Sequence, residues 1–451
     1  MTRGNDLAAE FILTTQYDRL PAEVIHQAKR CLLDMIAVTL AGTLTRSGTV
    51  ARDLVQEMGG RPEATVAGLE PKVPVAAAIF ANTTLASSLD FDDGYRLVKG
   101  HPGAFVIPAA LALSEKDHRS GKDFLAAAVA GYEIGIRAGI ITHASYHHYH
   151  SSGSWGGMGT FAAMARLLGL NRDQILNGLG IAEFHGTIAP ALRHAEAPSM
   201  LKGAAGWGAY SGAWASLLAQ KGFSGIPSLF GFEEHQDLVR SLGREFRITE
   251  VYFKPYTCCR WAQPAIDGAL KILQATPVDI RSIRKVLVRT FNEASKLSMS
   301  RPVTSEQAQY SIPYVLACAI VDGEVGPRQV CEERLADEAI LSISDKVQIE
   351  LEPEAQSRFP QQCLARVLVE TDRGTYDSGL VGAKGDPDQP LSGDELKRKF
   401  LSATRGMIRD SQELALIEKI ERVEEIQDMG EIARALGAGG TEFEGELNHG
   451  A

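Results

Sequence analysis

The stretch "LPAEVIHQAKRCLLDMIAVTLAG", residues 20–42, shows the pattern that dominates the first part of the chain. Its apolar residues recur at positions 24, 25, 28, 31, 32, 35 and 36, which places them on one face of a helix with 3.6 residues per turn. Pro21 suits the first position of a helix, and Gly42 suits its end. Similar patterns, rich in Ala and Gly, recur up to about residue 265. This part of the chain is therefore predicted to be a set of closely packed helices.

The pattern changes near residue 277. The runs "DIRSIRKVLVRTF", "DKVQIELEPE" and "QCLARVLVETDRGTYDSGLV" are rich in β-branched residues and partly alternate, as strands do. Asp372-Arg373-Gly374 is typical of a hairpin turn, and Ser392 with Glu395 forms a capping box that opens further helices. The sequence predicts a mainly α fold with an α+β part. A large all-α helical domain spans 1–268, a smaller α+β lid domain spans 269–388, and C-terminal helices, 389–451, return to the helical domain.

Composition restricts the possible partners. The 451-residue chain has a formal net charge of -10, and its 46 basic residues are scattered, which argues against a nucleic-acid surface. Six cysteines without regular spacing indicate reduced thiols, and no signal peptide is recognised, so a cytoplasmic location is expected. The run 203–220, "GAAGWGAYSGAWASLLAQ", is short for a membrane span and is predicted to be a tightly packed interior helix.

Three carboxylates and a histidine interrupt an apolar neighbourhood in "SLDFDDGYRLVKGHPGAFVIPA", residues 88–109. Asp90, Asp92 and Asp93 lie within four positions, and His101 follows eight residues after Asp93. Burying these groups unpaired would be costly, so a polar cavity or network is expected. The sequence leaves three roles open for the acids: they bind a metal, cap a helix end, or help to move a proton.

Histidines and a lysine mark two further segments. "HASYHHYHSSGSWGGMGT" contains His143, His147, His148 and His150, but no Glu follows His143 to complete a zinc motif of the HExxH type. An exposed cluster is therefore the favoured interpretation for most of them. His150 precedes a Gly-rich helix start, where backbone N–H groups attract carboxylates. Lys202 opens a helix of small residues, and it either reaches solvent or points inward as a proton shuttle or anion clamp.

Two segments place polar side chains near the junction of the two parts, where pockets are common. "FKPYTCCRWAQPAID" contributes Lys254, Cys258, Cys259 and Arg260. "EQAQYSIPYVLACA" places Gln307, Ser311 and Tyr314 near one face of a helix, where a tyrosine is more often part of the core.

These motifs, in this order, resemble the MmgE/PrpD family over nearly the whole chain. The resemblance rests on "LDFDD", "GHPGAFVIPAALALSE", "YHSSGSWGGMGTFAAMARLLGL", "LKGAAGWGAYSGAWASLLAQKGFSG", "FKPYTCCRWAQPAID" and "QAQYSIPYVLACAIVDGEV". The family includes 2-methylcitrate dehydratases, cis-aconitate decarboxylases and iminodisuccinate epimerases. The resemblance implies an all-α domain completed by C-terminal helices, an α+β lid, a homodimer, and chemistry without a metal or other cofactor.

Resemblance to the decarboxylase branch implies a site that contains Asp90, His101, His150, Lys202, Lys254 and Tyr314. We predict catalytic roles for His101, Asp90, His150, Lys202 and Tyr314. We predict substrate-binding roles for Lys254, Cys258, Cys259, Arg260, Asp93 and Gln307. Three positions depart from the family's pattern: Gly94 replaces a common Thr, Ser87 a common His, and Cys259 the branch's His. These departures leave the substrate open.

The predicted function is a cofactor-independent lyase, a dehydratase or a decarboxylase, that acts on a small di- or tricarboxylic acid by proton transfer next to a carboxylate. His101, oriented by Asp90, would be the acid or base, and Tyr314 would handle a second proton. An epimerase of a dicarboxylate is the main alternative. More remote alternatives are a class II terpene cyclase, whose acid motif "DFDD" matches, and a non-catalytic helical binding protein. The strand-rich part and an aromatic content of only 7% argue against the cyclase.

Overall fold

The computed structural model describes residues 3–146 and 149–437. Ten helices form the first part: α1 Arg3–Thr14, α2 Ala22–Gly42, α3 Arg46–Met58, α4 Val75–Ser87, α5 Pro102–Lys116, α6 Gly121–Ser145, α7 Gly156–Leu168, α8 Arg172–Phe184, α9 Ala191–Glu196 and α10 Ala205–Gln220. A small hairpin, β1 Ala64–Val66 and β2 Leu69–Val73, interrupts them and was not predicted. The helix predicted from residues 20–42 is confirmed as α2, with Pro21 directly before its first residue.

The second part combines strands with shorter helices. α11 Gln236–Arg240 still contacts α1 of the first part. The helices of the second part are α12 Gln263–Ala275, α13 Asn292–Ser295, α14 Ser305–Gln309, α15 Ile312–Asp322, α16 Glu338–Ser344 and α17 Pro353–Arg358. The strands are β3 Ile283–Thr290, β4 Val347–Leu351, β5 Leu364–Thr371 and β6 Gly374–Gly382, in the order β4-β3-β5-β6. Only the β3–β4 pair is parallel, and a two-residue turn at Asp372 and Arg373 joins β5 to β6 as predicted. The predicted fold class, mainly α with an α+β part, is confirmed.

The last three helices, α18 Gly393–Thr404, α19 Asp410–Glu421 and α20 Gly430–Gly437, pack back onto the first part. α18 and α19 contact α2, and α20 contacts α5. The capping box that opens α18 is present, with Ser392 and Glu395 bonded to each other's backbone N–H groups. The domain boundaries after residues 268 and 388 stay predictions.

Small residues allow the central helices to approach closely. A Cβ atom added to Gly212 in α10 would lie 2.1 Å from the carbonyl oxygen of Gly157 in α7, so only glycine fits there. α6 is long and apolar enough to cross a membrane, but its most apolar window is 94% buried inside the protein, as in a core helix. α7 packs against both α6 and α10, so the three helices form a closely packed core.

α10 corrects the prediction that the run 203–220 is entirely interior. Its small residues face the core, but Trp207 is 61% exposed and Trp214 46% exposed. Phe80, Trp207, Tyr210 and Trp214 form a chain of edge-to-face ring contacts along this outer face, and α10 carries no charged residue.

The homodimer implied by the family resemblance stays a prediction, and we expect this aromatic face of α10 to bury itself against a second copy. Elsewhere the negative net charge opposes association of identical chains. The double substitution Trp207→Glu and Trp214→Glu should convert a particle with the mass of two chains into one with the mass of a single chain. Light scattering coupled to size-exclusion chromatography measures this, with the exposed Leu414→Glu on α19 as control. A wild-type monomer would contradict the prediction.

Candidate active site

A cavity of 380 Å³ is lined by residues from both parts of the chain. Its walls come from the loop 87–101, the segment 149–152, the region around α9 and the start of α10, the junction 252–261 and the loop 359–363. Its polar lining includes Asp90, Asp92, His101, His194, Lys202, Lys254 and Tyr310. The predicted junction pocket is thus present, and several residues that are distant in sequence meet in it.

Hydrogen bonding fixes the orientation of the His101 ring. Its Nδ1 lies 3.0 Å from the backbone carbonyl oxygen of Asp93 and 3.2 Å from a carboxylate oxygen of Asp92. Because a carbonyl oxygen only accepts, Nδ1 carries a proton. The other nitrogen, Nε2, lies 3.6 Å from a carboxylate oxygen of Asp90. Nε2 is therefore the position at which His101 can exchange a proton with a molecule in the cavity.

Asp90 and Lys254 form a buried ion pair beside His101. The Lys254 ammonium contacts the Asp90 carboxylate and also donates to the Asp90 backbone carbonyl at 2.9 Å. Burial acts to raise the pKa of Asp90, but Lys254, Lys202 and His101 outweigh it and hold that pKa well below its usual value. Burial acts to lower the pKa of Lys254, but Asp90 and Asp92 raise it above the ordinary value. Both groups are therefore charged at neutral pH.

Lys202 points inward, which decides between the two orientations that the sequence left open. Its ammonium donates to the side-chain amide oxygen of Gln309 at 2.5 Å and lies 5.3 Å from the centre of the Tyr310 ring. Burial lowers its pKa below that of an exposed lysine. Since Gln309 is uncharged, the Lys202 ammonium can still accept a negatively charged partner from the cavity.

Asp90 and Lys202 both have strained backbone conformations. Their φ angles are 50° and 39°, in the left-handed region that residues with a side chain rarely adopt. Such conformations cost about 1–3 kcal/mol each and persist where the surroundings hold them. Here Lys254 holds Asp90 and Gln309 holds Lys202. Strain at two residues of one cavity is typical of functional sites.

A second buried ion pair lies beneath the acidic loop. Lys399 in α18 lies 2.5 Å from a carboxylate oxygen of Asp34 in α2, and its ammonium also donates to the carbonyl oxygen of Phe91 at 2.6 Å. The same ammonium sits 4.0 Å from the centre of the Phe91 ring. Because Phe91 separates Asp90 from Asp92, this contact lets α18 hold the loop that carries both acids.

The Tyr252 ring leaves room only for a glycine at position 94, one of the departures from the family's pattern. Gly94 and Tyr252 exchange backbone hydrogen bonds of 3.0 and 2.9 Å. A Cβ atom at Gly94 would lie 2.3 Å from the Tyr252 ring, so no larger residue fits without moving it. Tyr252 lines the cavity, as do the other two departures, Ser87 and Cys259.

The structure corrects the positions predicted for Tyr314 and Gln307. Tyr314 is buried in α15, and its hydroxyl lies 2.9 Å from the backbone carbonyl of Gln329, to which it donates. The tyrosine that lines the cavity is Tyr310, at the break between α14 and α15. The amide oxygen of Gln307 accepts from the N–H of Val303, outside the cavity. Gln309, two residues later, contacts Lys202 instead.

The structure places Asp92 in the cavity and Asp93, the acid predicted to bind substrate, outside it. Asp93 accepts hydrogen bonds from the backbone N–H of Gly103 at 2.9 Å and from the Tyr132 hydroxyl at 2.6 Å. It therefore caps the start of α5 rather than lining the cavity. Asp92 lines the cavity and lies against His101. The helix-cap interpretation is thus the one that fits Asp93.

The junction residues divide into three environments. Cys258 is fully buried and does not line the cavity, which corrects its predicted binding role. Cys259 lines the cavity, and burial together with Asp90 raises the pKa of its thiol to about 12, so the thiol is protonated at neutral pH. Arg260 lines the cavity but is already paired with Asp386 at 2.7 Å and donates to the carbonyl oxygen of Ala383 at 3.0 Å.

The histidine-rich segment lines the cavity through residues other than its described histidines, which corrects the catalytic position predicted for His150. Tyr149 and Ser151 line it, whereas His150 between them does not. Side chains alternate along an extended segment, and His150 forms an isolated bridge with Pro190. Its ring packs 5.7 Å from the ring of His143. His147 and His148 lie outside the described residues.

Within the described residues, one group of side chains is placed to bind a metal ion. Ligand atoms of Asp90, Asp92 and His101 lie within 4.8 Å of one another, close enough for a cation. Lys254, however, already places an ammonium on Asp90. A second cation would be repelled there, so chemistry without a metal stays our prediction.

Several residues of the site were missed. His194 and Tyr310 line the cavity, and the pair Asp34 and Lys399 supports it. The sequence contains a pattern that indicates the pair Asp34 and Lys399. Asp34 interrupts the apolar stripe of α2, and Lys399 lies with Leu396, Phe400 and Ala403 on the buried face of α18. No comparable pattern marks His194. The short helix α9 has no buried residue, so its sequence has no apolar stripe that a polar residue could interrupt.

Lys399→Met should lower the free energy of unfolding by about 3–5 kcal/mol, because Asp34 would remain as an unpaired buried charge. Chemical denaturation measures this change. Lys397→Met on the same helix, which removes an exposed pair with Glu421, should cost about 1 kcal/mol or less. Adding Asp34→Leu to Lys399→Met should recover much of the loss, and equal effects of the two lysine substitutions would contradict the argument.

Asp93→Asn should flatten the pH dependence of stability. Burial raises the pKa of Asp93 to about 7, although the Tyr132 hydrogen bond opposes this. The folded chain then holds this proton more tightly than the unfolded chain. The protonated Asp93 therefore adds its full contribution to the free energy of unfolding below about pH 4, and this contribution is lost as the pH rises to 7. Between pH 5 and 7 the wild type should lose up to about 1.4 kcal/mol more per pH unit than the variant. Urea unfolding tests this, with the exposed Asp53→Asn as control; parallel curves would refute it.

Comparisons with known proteins match both parts of the chain. The MmgE/PrpD N-terminal domain matches residues 6–247, and the MmgE/PrpD C-terminal domain matches residues 256–425. The cis-aconitate decarboxylase-like protein oryM of Aspergillus oryzae is 27% identical, covering 88% of this chain and 90% of its own. The cis-aconitate decarboxylases of Aspergillus terreus and Homo sapiens are 25% and 24% identical, covering 91% and 92% of this chain and 89% and 91% of theirs. These names point to an enzyme of the lyase type. With both domains matched in order, the chain belongs to the MmgE/PrpD family.

Proposed function

We propose that the protein is a lyase that removes carbon dioxide from a small unsaturated tricarboxylic acid of the cis-aconitate type. One observation carries this proposal: His101 is held with Nε2 toward a cavity that also contains two buried lysine ammonium groups. An acid–base group beside fixed positive charges suits proton transfer at a carbon atom next to a carboxylate. The names of the relatives support decarboxylation within that class.

Lys202 and Lys254 have different electrostatic roles. Lys254 is paired with Asp90, so its charge is largely balanced before any ligand binds. Lys202 has a neutral direct partner in Gln309, and its ammonium is available to a substrate carboxylate. Because Lys202 is buried, such a fixed cation stabilises negative charge more strongly than an exposed cation does.

The reaction balances with one proton and no oxidant. In cis-aconitate the bond between the CH₂ carbon and its carboxylate breaks, and the electron pair forms a new double bond to the central carbon. The electron pair of the old double bond takes one proton at the CH carbon, next to the remaining terminal carboxylate. The products are carbon dioxide and methylenesuccinate. Negative charge that develops on that carboxylate is the charge that Lys202 would stabilise.

His101 is our candidate for the proton donor. When the ring carries a proton on both nitrogens, Nε2 delivers one to the substrate carbon while Nδ1 keeps its hydrogen bond to the Asp93 carbonyl. The ring therefore does not need to turn during the reaction. Asp90 lies 3.6 Å from Nε2 and is placed to hold the ring when the cavity is empty. In this proposal the aspartates position a histidine, and Tyr310 replaces Tyr314 as the tyrosine near the substrate.

The experiment is an NMR assay in D₂O with EDTA present, using cis-aconitate, citrate, 2-methylcitrate and iminodisuccinate as separate substrates. Methylenesuccinate carrying one deuterium on its saturated CH₂ carbon, which was the CH carbon of cis-aconitate, is expected from cis-aconitate. Water loss from citrate or 2-methylcitrate would replace the proposal with a dehydratase, and deuterium uptake by iminodisuccinate alone would replace it with an epimerase. No exchange with any of the four would contradict the acid–base site itself.

His101→Gln should lower turnover of the active substrate about 10²- to 10⁴-fold, the usual effect of losing an acid–base group, with little change in melting temperature. Steady-state kinetics and a thermal melt measure the two quantities on one preparation. The exposed His26→Gln on α2 serves as control and should match the wild type. Full activity of His101→Gln would remove this residue from the mechanism.

A further inference from the structure

His194 is a cavity residue whose hydrogen-bonding groups are unused. It lies in α9 and lines the cavity described above. Both of its ring nitrogens are buried from solvent, and neither has a hydrogen-bond partner among the described residues. Lys254 and Lys202 in the same cavity do have protein partners. Buried polar atoms without partners are uncommon in folded proteins, and each one needs an explanation.

A purely structural role does not provide that explanation. No residue of α9 is buried, so the helix is not anchored by burying its side chains in the core. The His194 ring makes an edge contact with the Tyr310 ring at 5.3 Å between centres, a contact that any aromatic residue could make. Nothing in this packing needs nitrogen atoms.

The charge state of His194 follows from its neighbours. Burial lowers its pKa to about 4, the nearby Lys202 ammonium acts in the same direction, and Asp90 opposes them. At neutral pH the ring is therefore uncharged, with one nitrogen that donates and one that accepts. The Lys202 ammonium and the His194 ring both contact Tyr310, so both lie at the same end of the cavity. A ligand that reaches one is within reach of the other.

We propose that His194 is a substrate-binding residue whose neutral ring donates a hydrogen bond to the carboxylate bound by Lys202. The choice of a carboxylate rests on the proposed function. Lys202 supplies charge, and the ring N–H supplies direction, because an imidazole donates only in its own plane whereas an ammonium can rotate. The ligand would satisfy a nitrogen that is otherwise buried without a partner.

The test uses substitutions that separate binding from folding. His194→Phe keeps the ring and its contact with Tyr310 but removes both nitrogens. The probe is propane-1,2,3-tricarboxylate, which has the carboxylates of cis-aconitate but no double bond, and calorimetry measures its Kd. His194→Phe should raise Kd about 10- to 100-fold, the effect of losing one hydrogen bond to a charged group. Its melting temperature should stay equal or increase, because unpaired buried polar atoms are removed.

Two further variants complete the series. His194→Gln keeps a donor and should raise Kd less than His194→Phe does. His185→Phe, at the exposed end of α8, should leave Kd unchanged. A Kd for His194→Phe equal to that of the wild type would overturn the inference. An equal loss of melting temperature and affinity in all three variants would also overturn it.

The outcomes separate this inference from the proposed function. If the wild type binds the tricarboxylate and His194→Phe weakens binding, the inference stands even when cis-aconitate gives no product. If the wild type binds no tricarboxylate, both proposals fail. If His194→Phe does not fold, histidines labelled with ¹³C at Cε1 report on the wild type, with the His194 signal assigned by its loss in His194→Gln. That signal should shift when the tricarboxylate is added, and an unchanged signal would overturn the inference.

Discussion

The buried ion pair of Lys254 and Asp90 joins segments that are 164 residues apart and sets the geometry of the cavity. Neither charge is stable alone at this depth, because a buried charge without a partner costs several kcal/mol. Together they hold the acidic loop against the start of the second part of the chain. The strained backbone of Asp90, the orientation of His101 and the approach of Lys202 all depend on that loop staying in place.

Support for this pair comes from the packing beneath it. α18, close to the end of the chain, reaches back to α2 and places Lys399 under Phe91. Two ion pairs therefore hold the loop, one at the cavity and one below it. The glycine contact between α10 and α7 adds to this support, because it holds α10, which follows directly after Lys202, against the neighbouring helix.

Several errors in the sequence-based site have one cause. Tyr314 was chosen where Tyr310 lines the cavity, Gln307 where Gln309 contacts Lys202, and Asp93 where Asp92 faces His101. Each residue that makes the observed contact lies one to four positions from the predicted one. Motifs locate a segment, but the side chain that faces a cavity depends on where a helix breaks or how a loop turns. The break between α14 and α15 at Tyr310 is one such place.

Local sequence patterns determined much of this protein. Periodicity predicted the helix at 22–42 and the runs that become β3 to β6, and short turn and cap motifs predicted the hairpin turn and the capping box of α18, because local geometry sets how apolar and turn residues are spaced. The family resemblance also grouped Asp90, His101, Lys202 and Lys254, and all four line the cavity. Only the tertiary structure decided that Lys202 points inward, that Asp93 caps a helix and that His194 belongs to the cavity. Those outcomes depend on contacts between distant segments, and the free energy of a buried polar group is set by the partners that such contacts supply.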